Sequence, residues 1–256
     1  MIDSRAVVDP KADIDEGVEI GAFSVIGSNV QIGRGTKVGS HVVIKGPAII
    51  GRDNQIFQFA SLGDDPQDKK YAGERTYLEI GNGNVIREFV TINRGTKDGG
   101  GTTRIGNNNL FMAYIHVAHD CLIGSHVIMA NGASLGGHVS IDDHAILGGF
   151  TMVHQFCRIG THAFCAMGTG LTKDVPPFIT VAGQPAKPHG INSIGLSRHG
   201  FSDPTIQSIK RAYKTLYLRH LKLDEAVDSI RKSAGDIPEV EIFAEFVLSR
   251  SRSIIR

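Results

Sequence analysis

The sequence predicts an all-β parallel β-helix followed by a small C-terminal α-helical domain, and three observations carry that prediction. An aliphatic residue recurs at every sixth position, a smaller inward residue precedes each of these by two, and after about Pro188 the rhythm gives way to helical spacing. Composition agrees: 31 Gly and no Trp suit a regular, turn-rich chain.

The aliphatic register runs Ile2, Val8, Ile14, Ile20, Ile26, Ile32, Val38, Ile44, Ile50, Ile56, Leu62. It resumes at Ile80, Ile86 and Ile92, and continues from Ile105 through Val117, Leu135 and Val153 to Leu171. The smaller set includes Ser24, Thr36, Val42, Cys121, Ala133 and Cys157. Six is an even number, so on extended backbone both members of a hexad face inward, and Gly or Asp just after the aliphatic position supplies the bend. Stacked turns of this kind bury one continuous core. All three Cys occupy inward positions, which assigns them to the core instead of to metal or redox chemistry. Asn54, Asn84 and Asn109 are polar at inward positions and require hydrogen-bond partners, which a ladder between coils would supply.

These limits give a β-helix over residues 1–188, with two inserted loops at about 64–77 and 94–103, and a helical domain over 189–256. Asp203 with Pro204, and Asp236 before Pro238, mark helix starts, and Gly235 marks a stop. Ile206, Ile209, Tyr213 and Leu216 form an apolar helical stripe, while Lys210, Arg211 and Lys214 form either a solvated face or a docking patch. A net charge of +1 argues against binding nucleic acid through bulk electrostatics. The start of the chain resembles no secretory leader, no segment reaches transmembrane length, and the Cys have no disulfide spacing. A cytoplasmic protein without stable membrane insertion is the expectation.

Function is sought where the register slips. The two polar insertions, "GDDPQDKKYAGERTY" and "NRGTKDGGGTTR", follow Leu62 and Ile92, which begin equivalent hexads, as do Val117, Leu135 and Val153. His119, His138 and His154 lie just after those last three, so loops and His share one edge of the prism. His116, His119 and Asp120 in "IHVAHDCLIG" then point outward, with Val117 and Cys121 inward. A second stack, His126, His144 and His162, repeats once per coil on an edge without insertions. It reads as surface or as a contact between chains, with a metal site as the weaker alternative.

The stretches "QFASLG", "KYAGE", "TINRGT", "HVAHDCLIG", "GGHVSIDD", "VHQFCRIG", "KDVPPF" and "RHGFS" together resemble the UDP-N-acetylglucosamine O-acyltransferases that begin lipid A synthesis in Gram-negative bacteria. The resemblance covers essentially the whole chain. It implies a left-handed helix with three hexads per coil, a homotrimer with active sites between subunits, an acyl carrier protein as donor, and neither metal nor other cofactor. It implies His119 as general base, Asp120 as the acid that orients its imidazole, and the Gly137 N–H as oxyanion donor. Asp68, Lys70, His116 and His138 match substrate contacts, and His154, Gln155, Asn192 and Arg198 match sugar-nucleotide contacts. Met167 matches the position that limits acyl-chain length, which points to 3-hydroxydecanoyl over 3-hydroxymyristoyl. Two positions depart from the family pattern: Ile194 stands in place of an acidic residue and His199 in place of Arg.

Other readings remain open at this level. A metal-dependent hexapeptide enzyme of γ-carbonic-anhydrase type would use His from neighbouring subunits as zinc ligands. A purely structural β-helix would not gather loops and His on one edge. The related N-acyltransferase would carry an extra N-terminal domain, whereas the hexads here begin at Ile2. An acyltransferase acting on a 3-amino sugar nucleotide has no distinguishing feature in the sequence.

Overall fold

Strands of two residues, such as Val7–Val8, Asp13–Ile14 and Glu19–Ile20, follow one another around a triangular coil. They are too short to be stable alone and depend on pairing along the axis. Val7 lies opposite Val25, and Val25 opposite Val43, a step of three hexads, in parallel register. Among the described residues three sheets of nine, eight and ten strands result, one on each face of the prism. The computed structural model describes residues 1–234, 237–249 and 252–256. It shows a left-handed parallel β-helix with a C-terminal α-helical domain.

Inside, the large and small members of successive hexads alternate: Ser24, Ile26, Val42, Ile44, Val127 and Met129 are all essentially inaccessible to solvent. The three Cys are fully buried and free. Burial raises the thiols of Cys121 and Cys165 to about 12 and that of Cys157 to about 11, so all three remain protonated. The inward polar residues form a continuous ladder. Thr36 Oγ1 accepts from Asn54 N at 3.1 Å. Asn54 Oδ1 then accepts from Asn84 N at 2.8 Å and from Asn84 Nδ2 at 3.0 Å. Asn84 Oδ1 accepts from Asn109 N at 2.9 Å, and Asn109 Oδ1 from Val127 N at 2.7 Å. The side-chain amides of Asn54, Asn84 and Asn109 donate to the carbonyls of Gly81, Gly106 and Gly124. The ladder crosses both insertions unbroken, so the loops leave the prism without disturbing its interior.

The corners differ from the expectation that Gly or Asp makes the bend. The residue with positive φ falls three places after the aliphatic position and is often aromatic or His: Phe23, His41, Phe59, Phe89, His126, His138, His144 and His162. That conformation strains any residue with a Cβ. Stacking between successive coils offsets the cost. Rings of Phe23, His41, Phe59, Phe89 and Tyr114 form one column with centroids 4.8–5.3 Å apart.

The prism ends in an antiparallel pair, Ile179–Ala182 with Lys187–Ile191, which the hexad pattern did not reveal. Among the described residues four helices follow: α1 (Ser193–Arg198), α2 (Asp203–Leu218), α3 (Leu223–Ala234) and α4 (Pro238–Leu248). The cap of α2 is Ser202, whose side chain accepts from Thr205 N, so Asp203 is the first helical residue and not the cap. Ile206, Ile209 and Leu216 are buried, Tyr213 is half-buried, and Lys210, Arg211 and Lys214 are exposed. The stop at Gly235 and the start at Asp236 lie outside the described residues. The domain docks through Arg158, which stacks on Phe246 at 4.2 Å and donates to the Ser249 carbonyl at 2.9 Å. Among the described residues no helix is long and apolar enough to cross a membrane.

Replacing Asn84 by Ala strands the Asn109 N–H and the Gly106 carbonyl in the core. Guanidinium unfolding should show a loss of roughly 2–6 kcal/mol, at about 1–3 kcal/mol for each of the two buried groups left unpaired. A loss below 0.5 kcal/mol, on the order of an ordinary surface change, contradicts the ladder's structural role.

Candidate active site

The strands Ser61–Asp64, Thr91–Asn93, His116–Val117, Ser134–Leu135 and Met152–Val153 are consecutive members of one sheet. Leu62, Ile92, Val117, Leu135 and Val153 lie in a single ladder. The corner that follows this sheet therefore carries both loops, His119 and His138, and the corner of the next coil begins at His154. The edge inferred from the hexad count exists.

Asp120 is the hub of that corner. Its side chain is fully buried, against the outward position expected for it. The second loop folds over the coil, and Thr96, at the start of a 3-10 turn over Lys97–Gly99, donates from N at 2.8 Å to Oδ1 and from Oγ1 at 2.6 Å to Oδ2. Gly95 and Gly99 permit this approach, since a Cβ on Gly99 would sit 2.1 Å from the carboxylate. Below, the Asp120 N–H donates to Thr103 Oγ1 at 2.8 Å.

His119 Nδ1 lies 2.8 Å from Asp120 Oδ2. Asp120 thus selects the tautomer with the proton on Nδ1 and leaves the Nε2 lone pair free to take a proton. Gly137 on the next coil makes room for the ring, since a Cβ there would lie 2.8 Å from His119 Nε2. His138 meets His119 edge-on at 5.1 Å, stacks on Phe156 at 4.4 Å, and places Nε2 3.8 Å from Asp120 Oδ2. His116 Nδ1 pairs with Thr91 Oγ1 at 2.8 Å. Burial lowers the pKa of both His116 and His138, so both are neutral at physiological pH. The Asp120 carboxylate, and to a lesser degree that of Asp68 in the first loop, partly opposes this at His138. The Lys70 N–H donates to Asp68 Oδ1 at 3.0 Å.

Two anchors escaped the sequence reading. Thr96 was visible only as part of "TINRGT". Arg94, almost buried, ties the loops together by donating to the Gly63 carbonyl at 2.8 Å and Tyr71 Oη at 2.9 Å, and by pairing with Asp65.

The remaining candidates do not join this cluster within one chain. His154 and Gln155 are exposed, and the His154 ring turns to the Gln155 carbonyl, which also accepts from Arg252. Asn192 caps α1, accepting from Gly195 N at 3.1 Å and donating to the His162 carbonyl at 3.1 Å. Arg198 ends α1, at the corner of the second His stack. Met167 is 77% exposed at a third corner.

The second stack is not a surface feature throughout. Rings of His126, His144 and His162 lie parallel with centroids 4.8 and 4.6 Å apart, and His162 is 8% exposed beneath Phe178, His199 and Phe201.

A signature described as "Bacterial transferase hexapeptide (six repeats)" matches residues 11–46 and 102–137, and "Udp N-acetylglucosamine O-acyltransferase; Domain 2" matches residues 174–255. The acyl-carrier-protein-dependent UDP-N-acetylglucosamine O-acyltransferase of Halorhodospira halophila is 56% identical over 100% of this chain and 99% of its own. The chain belongs to this acyltransferase family. The Neisseria meningitidis serogroup B member is likewise 56% identical, with the same coverage of both chains. Among solved UDP-N-acetylglucosamine acyltransferases, that of Francisella novicida superposes with a TM-score of 0.98 at 46% identity, covering 100% of this chain and 94% of its own. The Arabidopsis enzyme still reaches 0.89 at 34% identity, covering 100% and 99%. The acyltransferase fold therefore persists while two thirds of its residues change.

Burial beside His144 and His199 pushes His162 down to about 4 from 6.5. Below about pH 6.5 the unfolded chain takes up a proton that folded His162 refuses. Stability should fall as pH drops from about 6.5 to about 4. His162→Phe should flatten that decline in a series of thermal melts; an unchanged slope contradicts the assignment.

Proposed function

We propose that this acyltransferase moves a 3-hydroxyacyl group from acyl carrier protein to the 3-hydroxyl of UDP-N-acetylglucosamine, the first step of lipid A biosynthesis, with His119 as general base. The observation that carries the reading is the His119–Asp120 pair held under the second loop.

In this reading His119 Nε2 removes the proton of the sugar hydroxyl as its oxygen attacks the thioester carbon. The Gly137 N–H stabilises the oxyanion of the tetrahedral intermediate. Collapse breaks the carbon–sulfur bond, and the imidazolium returns its proton to the departing thiolate. Asp120 keeps its charge throughout and steadies the imidazolium. His116, His138, Asp68 and Lys70 surround the acceptor.

His154, Gln155, Asn192, Arg198 and Met167 stand away from His119 in one chain. Their outward placement supports a homotrimer in which a neighbouring copy supplies the sugar-nucleotide contacts and Met167 closes the acyl channel. Residues 1–188, with the loops at about 64–77 and 94–103, form the catalytic prism in this scheme, and residues 189–256 the helical domain that presents Asn192 and Arg198. The protein works in the cytoplasm, where both substrates are made.

His119→Ala should lower the transfer rate at least about 10²-fold, within the 10²–10⁴ typical of a general base. Asp120→Asn should lower kcat while leaving KM for the sugar nucleotide little changed. Full activity of the His119 variant removes the base assignment, and activity with the 3-amino sugar nucleotide alone removes the acceptor. Met167→Gly should shift preference from 3-hydroxydecanoyl towards 3-hydroxymyristoyl carrier protein; an unaltered preference shows that the channel ends elsewhere.

A further inference from the structure

Asp120 stands between two imidazoles. Its Oδ2 lies 2.8 Å from His119 Nδ1 and 3.8 Å from His138 Nε2. A carboxylate free to turn about its Cβ–Cγ bond pairs with either ring, and the choice decides which ring is oriented as the base. We infer that Thr96 is a positioning residue of the transfer reaction, whose hydroxyl commits the Asp120 carboxylate to His119 and withholds it from His138. The inference rests on the assignment of His119 as general base.

Thr96 grips both carboxylate oxygens. Its N–H donates to Oδ1 at 2.8 Å and its hydroxyl donates to Oδ2 at 2.6 Å. Two bonds from one residue fix the plane of the carboxylate, where one bond alone leaves it free to rotate. The length of the second is that of a charge-assisted bond from a hydroxyl to an ionised carboxylate. Its direction is set as well, because Thr96 Oγ1 accepts from Gly99 N at 3.2 Å and has only one proton to give. Oδ2 thus receives protons from Thr96 and His119 together, while His138 stays beyond hydrogen-bond length.

His138 has its own restraints. Its ring stacks on Phe156 at 4.4 Å, and its backbone N–H donates to the His119 carbonyl at 3.0 Å. With that ring held, the carboxylate is the part that moves once the Thr96 hydroxyl is removed. Thr96 is 6% exposed and its hydroxyl is spent on Asp120 and Gly99, so it acts through the carboxylate and not on the substrate. The turn around it has further support, since Thr96 O accepts from Gly99 N at 3.1 Å and from Gly101 N at 2.8 Å. Those two bonds and the Thr96 N–H remain when the side chain is changed.

The test compares Thr96→Val, Thr96→Ala and Thr96→Ser in the full chain, with 3-hydroxydecanoyl carrier protein and UDP-N-acetylglucosamine as substrates. Thermal melts verify that each variant is folded at the assay temperature, and Thr96→Ala removes the hydroxyl without burying an extra methyl group. A misplacement of about 1 Å near the reacting groups costs up to about 10²-fold, so Thr96→Val and Thr96→Ala should lower kcat about 10–100-fold. KM for both substrates should stay within about twofold, as for an interaction realised only in the transition state. Thr96→Ser keeps the donor and should restore most of the rate. In an Asp120→Asn background, Thr96→Val should cost less than about twofold more, because residues acting through one contact do not add. A crystal structure of Thr96→Val should show the carboxylate turned from His119 towards His138. Unchanged kcat, a rise in KM that accounts for the loss, no rescue by Ser, full additivity with Asp120→Asn, or an unmoved carboxylate would each overturn the inference. Full activity of His119→Ala removes the base assignment and this inference with it, whereas an inactive His119→Ala beside a fully active Thr96→Val removes this inference alone.

Discussion

Every feature of this molecule depends on the hydrogen bonds that join one coil to the next. A strand of two residues has no independent stability, and each gains it from a parallel neighbour three hexads away. The bond pattern admits one register, because a slip of one residue would turn every inward Ile and Val to solvent. A residue's place in the hexad count therefore fixes its place in space. Corner residues become columns, and the columns hold the chemistry: one of aromatic rings, one of imidazoles, and one with His119 and Asp120 beneath two loops.

Strict registration also explains how a buried carboxylate is sustained at a corner. Asp120 has positive φ, which aims its side chain along the edge towards the loop and not into the solvent. Thr96 supplies two donors to the carboxylate, from its N–H and its hydroxyl, Thr103 Oγ1 accepts from the Asp120 N–H, and His119 completes the set. The base is oriented by a group that is itself immobilised, so little reorganisation remains for the reaction.

Much of this was legible in the order of residues. The period of six identified the coils, the inward Cys and Asn, and the shared edge of loops and His, because periodicity is a local property repeated many times. The burial of Asp120, the anchoring roles of Thr96 and Arg94, and the approach of His199 to His144 and His162 were not legible. Each depends on the path of a segment outside the repeat, whose folding no spacing rule specifies. The antiparallel strand Lys187–Ile191 escaped for a related reason: it contains Pro188 and Gly190 and carries no hexad signal. The aromatic corners were missed because propensity disfavours Phe at positive φ, and only the stacking between coils reverses that preference.

The ladder from Asn54 to Asn84 spans the first insertion as though it were absent. The prism itself holds the two stems of that loop in place, so closing the loop adds no work of bringing distant ends together. Doubling the length of a loop costs only about 0.6 kcal/mol in closure entropy. Such a scaffold separates the question of whether the chain folds from the question of what its corners carry. Loop length and composition can then diverge between relatives, or be redesigned, while the stability of the core remains nearly constant.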